Sequence, residues 1–372
     1  MKAFVPVAGK EDDLLHGLPV ETTAEFHFAQ ARPQSDVELE FQQRTAVVNY
    51  RDWIKDQGIE HVGAQFRPDL PLVSGEPNDV TLSIINHGPG AIQGELRFET
   101  PSGWAVESAQ KSIKVPAGMT VPVHLRIKPP SGVDADLRAL FTVNGNRVEA
   151  IARLHPLPRT GVIRLKRAPA LDGSDHGWEN VPILRIAPTN LFQGKVADDA
   201  DSSATFRLAH HGAMLYVDVQ VRDDVVVTNI APNDIKGHWR SDSIEICLDP
   251  LGGAEHTMDC YKLGIFPFDT TGVVRAARDA DANQGPVEET APKTRLVSRR
   301  TADGYRVQAA IPFREIGVPR EGKKRLGFNL IIYDGDKRDA ALGENINKSR
   351  IAWAPRSGVM GRPEDWGRID LE

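Results

Sequence analysis

Beyond residue 65 the chain alternates apolar and polar positions. In "DVTLSIINHG" Val80, Leu82 and Ile84 fall on one side, and in "VPVHLRIKPP" Val121, Val123, Leu125 and Ile127 do the same. A period of two lines such residues along one face of a half-buried strand. "GELRFETP" puts Leu96 and Phe98 together, and Asn144-Gly145, set between two strand-like runs, is a strong short hairpin signal. Turn residues recur about every ten positions, with no helical periodicity between them. Residues 65–157 are therefore expected to form an immunoglobulin-like sandwich of roughly 90 residues.

Residues 162–372 follow the same rule on a larger scale. "AMLYVDVQVRDD" turns Leu215, Val217, Val219 and Val221 inward and Tyr216, Asp218 and Gln220 outward; "GYRVQAAIPF" and "RLGFNLIIYD" repeat the pattern. Only "PFREIG" suggests a helical turn, so this segment reads as a jelly-roll-like sandwich. "HPLPRTG" at 155–161 reads as a short, stiff joint. Residues 1–60 differ. Ser35 and Glu38 have capping-box spacing, Val37, Phe41, Val48 and Ile54 recur at roughly helical intervals, and Gly58 can close the C-terminus. The fold class expected is all-β: two sandwiches behind a short helical leader, the leader being the remnant of a preceding domain.

Composition narrows the function little. The 372 residues are 40% hydrophobic and 26% charged, ordinary for a globular protein. A net charge of −6 gives no footprint for nucleic acid, and no apolar run approaches the roughly 18 residues of a membrane span. "MKAFVPVAGKEDD" does not read as a signal peptide. Cys247 and Cys260 are too few for a zinc site; a cross-strand disulfide and two buried thiols both stay open.

"HWRSDSIEICLDP" raises the functional question. Ile244, Ile246 and Leu248 alternate with Ser243, Glu245 and Cys247, and a large aromatic, Trp239, stands just ahead of the strand. Such a ring either plugs the end of a core or offers a platform to a ligand. Several motifs bear on the choice. "LDGSDHGWENVPIL", "DDADSSATFRLAHHGAMLYVDVQVRDD", "HWRSDSIEICLDP", "GYRVQAAIPFREIG", "YDGDKRD" and "RIAWAPRSGVMGRPEDWGRIDL" occur in the order in which a family 9 carbohydrate-binding module carries its own. The C-terminal segment resembles that family. "NHGPGAIQGELRFETPSGWAV" resembles the immunoglobulin-like accessory domain of bacterial glycosidases.

The first resemblance implies a sugar end held between two tryptophans, Trp239 and Trp353, with Glu245 as a hydroxyl acceptor and Lys262 and Arg338 at positions of family arginines. Apolar C–H faces of a pyranose stack on such rings, and its hydroxyls take polar partners. Two positions depart from the pattern: Gly264 and Arg350 stand where asparagines are expected. Lys262, Arg338 and Arg350 around the rings would suit an acidic sugar. The resemblance further implies a secreted, extracellular or periplasmic setting beside a catalytic domain that this chain lacks, and structural calcium. Asp223, Asp224, Asp334 and Asp336 are the candidate oxygen ligands for that calcium. The adjacent His210 and His211 point apart and do not form a shared metal site. Two other functions stay open: a glycoside hydrolase or lyase pairing Glu245 with Asp334 or Glu344, and a structural module whose ligand site has decayed. No nucleophile elbow, metalloprotease helix or phosphate loop is present.

Overall fold

The structure is a computed structural model that describes residues 36–43, 45–59, 69–108, 111–130, 132–279, 283–318 and 325–372. Among these, strands dominate and form two sandwiches, and no helix is long and apolar enough to cross a membrane.

The first sandwich packs a sheet ordered Val37–Phe41, Asn78–Asn86, Thr120–Lys128, Ala105–Ser108 against one ordered Asp69–Val73, Asn146–Leu157, Ala135–Val143, Ile92–Glu99, Ser112–Val115. Its inward positions, among them Leu82, Ile84, Leu125 and Phe141, exclude water completely, and Trp104 closes the rim. The hairpin at Asn144-Gly145 forms as expected. Both residues have positive φ (49° and 79°), which a two-residue turn of primed type requires, and Val143 pairs with Asn146.

The helix expected from Ser35 onward divides in two. Ser35 itself lies outside the described residues. Val37–Phe41 is a strand, antiparallel to Asn78–Asn86, and the helix begins only at Thr45 and runs to Asp56. Val37 and Phe41 are four apart, a spacing that fits either period; buried Leu39 between them fits only the strand. The first sandwich thus begins earlier than residue 65.

The second sandwich has one sheet ordered Arg275–Asp279, Tyr261–Phe266, Ser243–Asp249, Arg325–Asp334, Gly367–Leu371. The facing sheet is ordered Ser202–His211, Met214–Asp223, Gly304–Pro312, Arg295–Thr301. Strand Arg159–Arg164 joins them, lying parallel to Gly367–Leu371 on one side and to Ser202–His211 on the other. The expected flexible-free joint at 155–161 is itself strand: Asn146–Leu157 ends the first sandwich, Pro158 intervenes, and Arg159–Arg164 opens the second. Trp178 and Trp366 are fully buried.

Candidate carbohydrate and cation sites

Strand Ser243–Asp249 presents two faces. Ile244, Ile246 and Leu248 enter the core, while Glu245 and Cys247 point outward beside Tyr333 and Ile331 of the neighbouring strand. Outward does not mean exposed. Glu245 is 0% exposed and Lys262, on the strand beside it, 4%. The Lys262 ammonium lies 2.7 Å from Glu245 Oε1, the Tyr333 hydroxyl donates to Oε2 at 2.6 Å, and His238 Nε2 stands 3.3 Å from Oε2. Burial would raise the Glu245 carboxyl, but the Lys262 ammonium and His238 outweigh it and hold the group below its ordinary range. Lys262 is held above its ordinary value by the same pairing, against burial.

Over this buried pair runs a row of rings. Trp239, 39% exposed, meets His238 edge-on at 5.6 Å; His238 meets Tyr333 edge-on at 5.1 Å; and the Arg350 guanidinium lies 5.1 Å from the centre of the Tyr333 ring. Arg350 is half-buried, donates through Nε to Asn347 Oδ1, and has no carboxylate within ion-pair distance among the described residues. Gly264 explains the arrangement. A Cβ there would lie 2.1 Å from His238 Nδ1, so the histidine ring occupies the space that a larger side chain would take. His238 and Tyr333 were not singled out from the sequence. Outward alternation in "NLIIYD" was the available signal for Tyr333.

The structure brings Trp239, Glu245, Lys262 and Arg350 together and leaves Trp353 out. Trp353 follows Ile351, whose side chain is in the core, whereas Arg350 and Ala352 take the outer face. Trp353 packs against Phe206 and Phe328 at 5.9 and 5.6 Å, is 8% exposed, and reaches within 2.4 Å of where a Gly367 Cβ would stand. The facing pair of rings expected from the sequence is therefore not formed: the sheet separates the two tryptophans. Arg338 is exposed and donates to the Asp224 carbonyl at 3.3 Å, on a loop apart from the ring row.

Nor do the carboxylates suggested for catalysis converge. Asp334 follows Ile332 on the inner face, opposite Glu245, and Glu344 is tied to Lys337 and to the Ala341 amide. Asp279 does approach, forming with His238 and Glu245 a group whose ligand atoms lie within 4.8 Å of one another. The Lys262 ammonium already supplies positive charge there. Cys247 and Cys260 are free, buried thiols, and burial pushes Cys260 up to about 12.

At one end of the second sandwich the core closes on carboxylates. Asp223, Asp242 and Asp334 continue the inward rows of their strands, and the ligand atoms of the three fall within 4.8 Å of one another. Asp223, Asp224 and Asp336 form an overlapping group. Asp242 accepts from the Val227 and Gly335 amides at 2.5 and 2.8 Å, and Asp223 from the Val225 amide at 2.8 Å. Asp334 Oδ1, Asp336 Oδ1 and the Tyr305 hydroxyl are buried without partners. Burial, then the neighbouring carboxylates, push Asp223 up to about 7; burial drives Asp334 to about 6 and Asp242 well above its ordinary value. Lys348 compensates part of the charge by bonding Asp201 and Asp336. Unpartnered carboxylate oxygens and an oxygen-only donor set fit a hard divalent cation such as calcium. The four aspartates expected from the sequence fall in overlapping groups of three rather than in one set. Asp242, beside Asp223 and Asp334, and Asp201, beside Asp334 and Asp336, were not marked by the sequence.

Two sandwiches, one with an outer-face ring row and an acidic end, define a β-sandwich binding module behind an immunoglobulin-like companion. Residues 171–372, more than half of the chain, match the carbohydrate family 9 binding domain-like family, and the chain belongs to it. Residues 72–144 match the NPCBM-associated, NEW3 domain of alpha-galactosidase. Among solved structures, the chain is similar to a family 9 carbohydrate-binding module from Caldicellulosiruptor kristjanssonii in complex with cellotriose. That match has 20% identity over 57% of this chain and 93% of the other, with a TM-score of 0.42. The same organism's module in complex with glucose matches at 20% identity, over 57% of this chain and 95% of the other, with a TM-score of 0.42. No curated protein matches the chain.

Proposed function

We propose that this protein binds carbohydrate on the outer face of its second sandwich, as an accessory part of an extracellular or periplasmic glycan-degrading system. The observation that carries the reading is the exposed Trp239 ring at the end of a row that finishes on Arg350, a cation with no carboxylate partner among the described residues. A pyranose would stack its C–H face on Trp239, and Arg350 would take an anionic substituent. Arg350, with no carboxylate within ion-pair distance among the described residues, is the cation that would take the carboxylate of an acidic sugar, although Asp279 beside Glu245 and Lys262 offsets part of the positive charge on this face. The platform is one ring, not two, because Trp353 belongs to the core. Calcium held by Asp223, Asp242 and Asp334 would complete the acidic end and supply charge compensation; Lys348 already bonds Asp201 and Asp336.

A second reading is a structural module without a ligand. The full pairing of Glu245 with Lys262 and Tyr333 favours it, since the expected hydroxyl acceptor is already engaged. Tryptophan fluorescence titration against soluble acidic and neutral glycans, with Trp239→Ala and Arg350→Ala in parallel and new reducing ends assayed, separates the readings. Saturable quenching lost in Trp239→Ala, with no new ends, is the expected result. No quenching with any glycan leaves the structural reading, and new ends would make the protein an enzyme.

A further inference from the structure

The two sandwiches keep separate apolar cores. Among the described residues, no cluster of buried apolar side chains draws on both. Between them lies a cleft of about 660 Å³, walled by Ser74, Asp134 and His155 of the first sandwich and by Arg185, Trp353 and Arg356 of the second. Domains that meet without a large apolar contact move relative to one another by default. The joint limits that freedom only in part. Pro158 is the single residue between strands Asn146–Leu157 and Arg159–Arg164, and its carbonyl accepts from the Arg368 amide at 2.8 Å. A joint at one point still permits a swivel.

Charge supplies two further points of contact. Beside the joint, Arg325 donates to Glu76 of the first sandwich in a two-pronged contact, Nη1 to Oε1 at 2.6 Å and Nη2 to Oε2 at 3.0 Å, and Arg159 Nη1 donates to Oε2 at 2.8 Å. Asp370 accepts from Nε of both arginines, at 2.7 and 2.5 Å, so a residue of the second sandwich aims them at Glu76. The Glu76, Arg325 and Asp370 side chains are only 21–25% exposed, and salt screens such groups less than a fully solvated pair.

The second point is carried by segment 355–366. Trp366 anchors it, its Nε1 donating to the Val359 carbonyl at 2.7 Å. The fully buried Asp365 pairs with Arg362 at 2.9 Å and with Arg356 at 3.3 Å. Both arginines also pair with Asp69 of the first sandwich, and Arg356 stands 3.9 Å from Asp134. His155 Nδ1, 2.5 Å away, fixes Asp134 in turn. Asp69 begins the strand that Val73 ends, and Val73 lies opposite Leu157 at the joint. At roughly 3.3 Å per residue the second contact is about 13 Å from the pivot. A contact at that distance blocks the swivel, which a contact at the pivot cannot do.

We propose that these two ion-pair clusters form a latch that sets the orientation of the sandwiches, so that the first is a fixed strut for the second and is released by salt. Asp365 is a positioning residue, acting through Arg356 and Arg362. The latch uses no residue of the ring row and does not depend on what that face binds. The test is the distance between spin labels on Lys114→Cys and Arg314→Cys, exposed positions on the first and second sandwich, in the full chain. Cys247 and Cys260 are buried and stay unlabelled. Amide spectra of the same samples record the fold of each sandwich. At low salt the otherwise unaltered chain should give one narrow distance. Glu76→Arg should at least double the width of the distribution, Asp69→Arg in the same chain should widen it further, and about 1 M NaCl should widen it in the unaltered chain. Adding Arg325→Glu to Glu76→Arg should bring the narrow distance back, a recovery that depends on charge and not on packing. A broad distribution in the unaltered chain at low salt, a narrow one that persists in high salt or in the Glu76→Arg, Asp69→Arg variant, or failure of the charge swap to narrow it would each overturn the proposal. Loss of either sandwich's dispersed amide resonances in that double variant would overturn it too, since the charges would then serve folding and not orientation.

Discussion

Gly264 and His238 are complementary: the imidazole lies where any side chain at position 264 would have to begin, 2.1 Å from the Cβ that glycine lacks. The histidine so placed bridges Trp239 and Tyr333 and touches Glu245. A single missing carbon therefore shapes the whole ring row.

Gly264→Asn should evict His238 and destabilise the protein by about 1–3 kcal/mol, the usual cost of overpacking. His238→Ala combined with Gly264→Asn should recover much of that loss, because the space is freed. Urea unfolding of the two single variants and the double variant gives the coupling energy; additive effects would contradict the fit.

Removing the Lys262 charge should cost more than removing the pair. Lys262→Met leaves the buried Glu245 with only His238 and the Tyr333 hydroxyl beside it, an expected loss of about 3–5 kcal/mol. Lys262→Met with Glu245→Gln should be milder, since no charge remains to desolvate. Denaturant midpoints of the two variants order the effects.

The two tryptophans should respond oppositely to truncation. Trp353→Ala opens a cavity against Phe206 and Phe328 and should cost about 3–5 kcal/mol without altering the ligand face directly. Trp239→Ala should change stability by about 1 kcal/mol or less, being a half-exposed ring, while abolishing glycan-dependent quenching. Thermal melts alongside fluorescence titrations check both.

Acidity should stabilise the metal-free protein. Asp223 and Asp334 bind protons more tightly folded (to about 7 and about 6) than unfolded, where an aspartate titrates near 4. Their contribution is complete below about pH 4 and is lost as pH rises through the folded values. In EDTA, melting temperature should therefore rise as pH falls from 8 to 5. Calcium should restore stability at pH 8 and do little at pH 5, where protons occupy the same oxygens.

Strand alternation made both sandwiches legible, because a period of two leaves a clear mark wherever one face is buried. It also carried the inward row that ends in Asp334, and the motif order placed Trp239, Glu245 and Lys262 on one surface. What stayed hidden depended on contacts between distant segments. Val37 and Phe41 fit helix and strand equally; the alternation through Leu39, in a stretch too short to stand out until it pairs with Asn78–Asn86, decides for strand. Trp353 sits one residue beyond a short strand, so whether it faces ligand or core depends on the register of Ser349–Ala352 against Arg325–Asp334. Lys348 and Asp201 meet across 147 positions, a relation no local pattern encodes.

The junction at Pro158 has a consequence for how this module could be inherited. Strand Arg159–Arg164 hydrogen-bonds to both sheets of the second sandwich, yet follows the last strand of the first after a single residue. The family match starts only at residue 171. A gene fragment cut at that recognisable boundary would encode a sandwich lacking the strand that links its halves. Recombination that respects folding must carry the strand across with the module, so a viable breakpoint would be expected at Pro158 or before it rather than at residue 171.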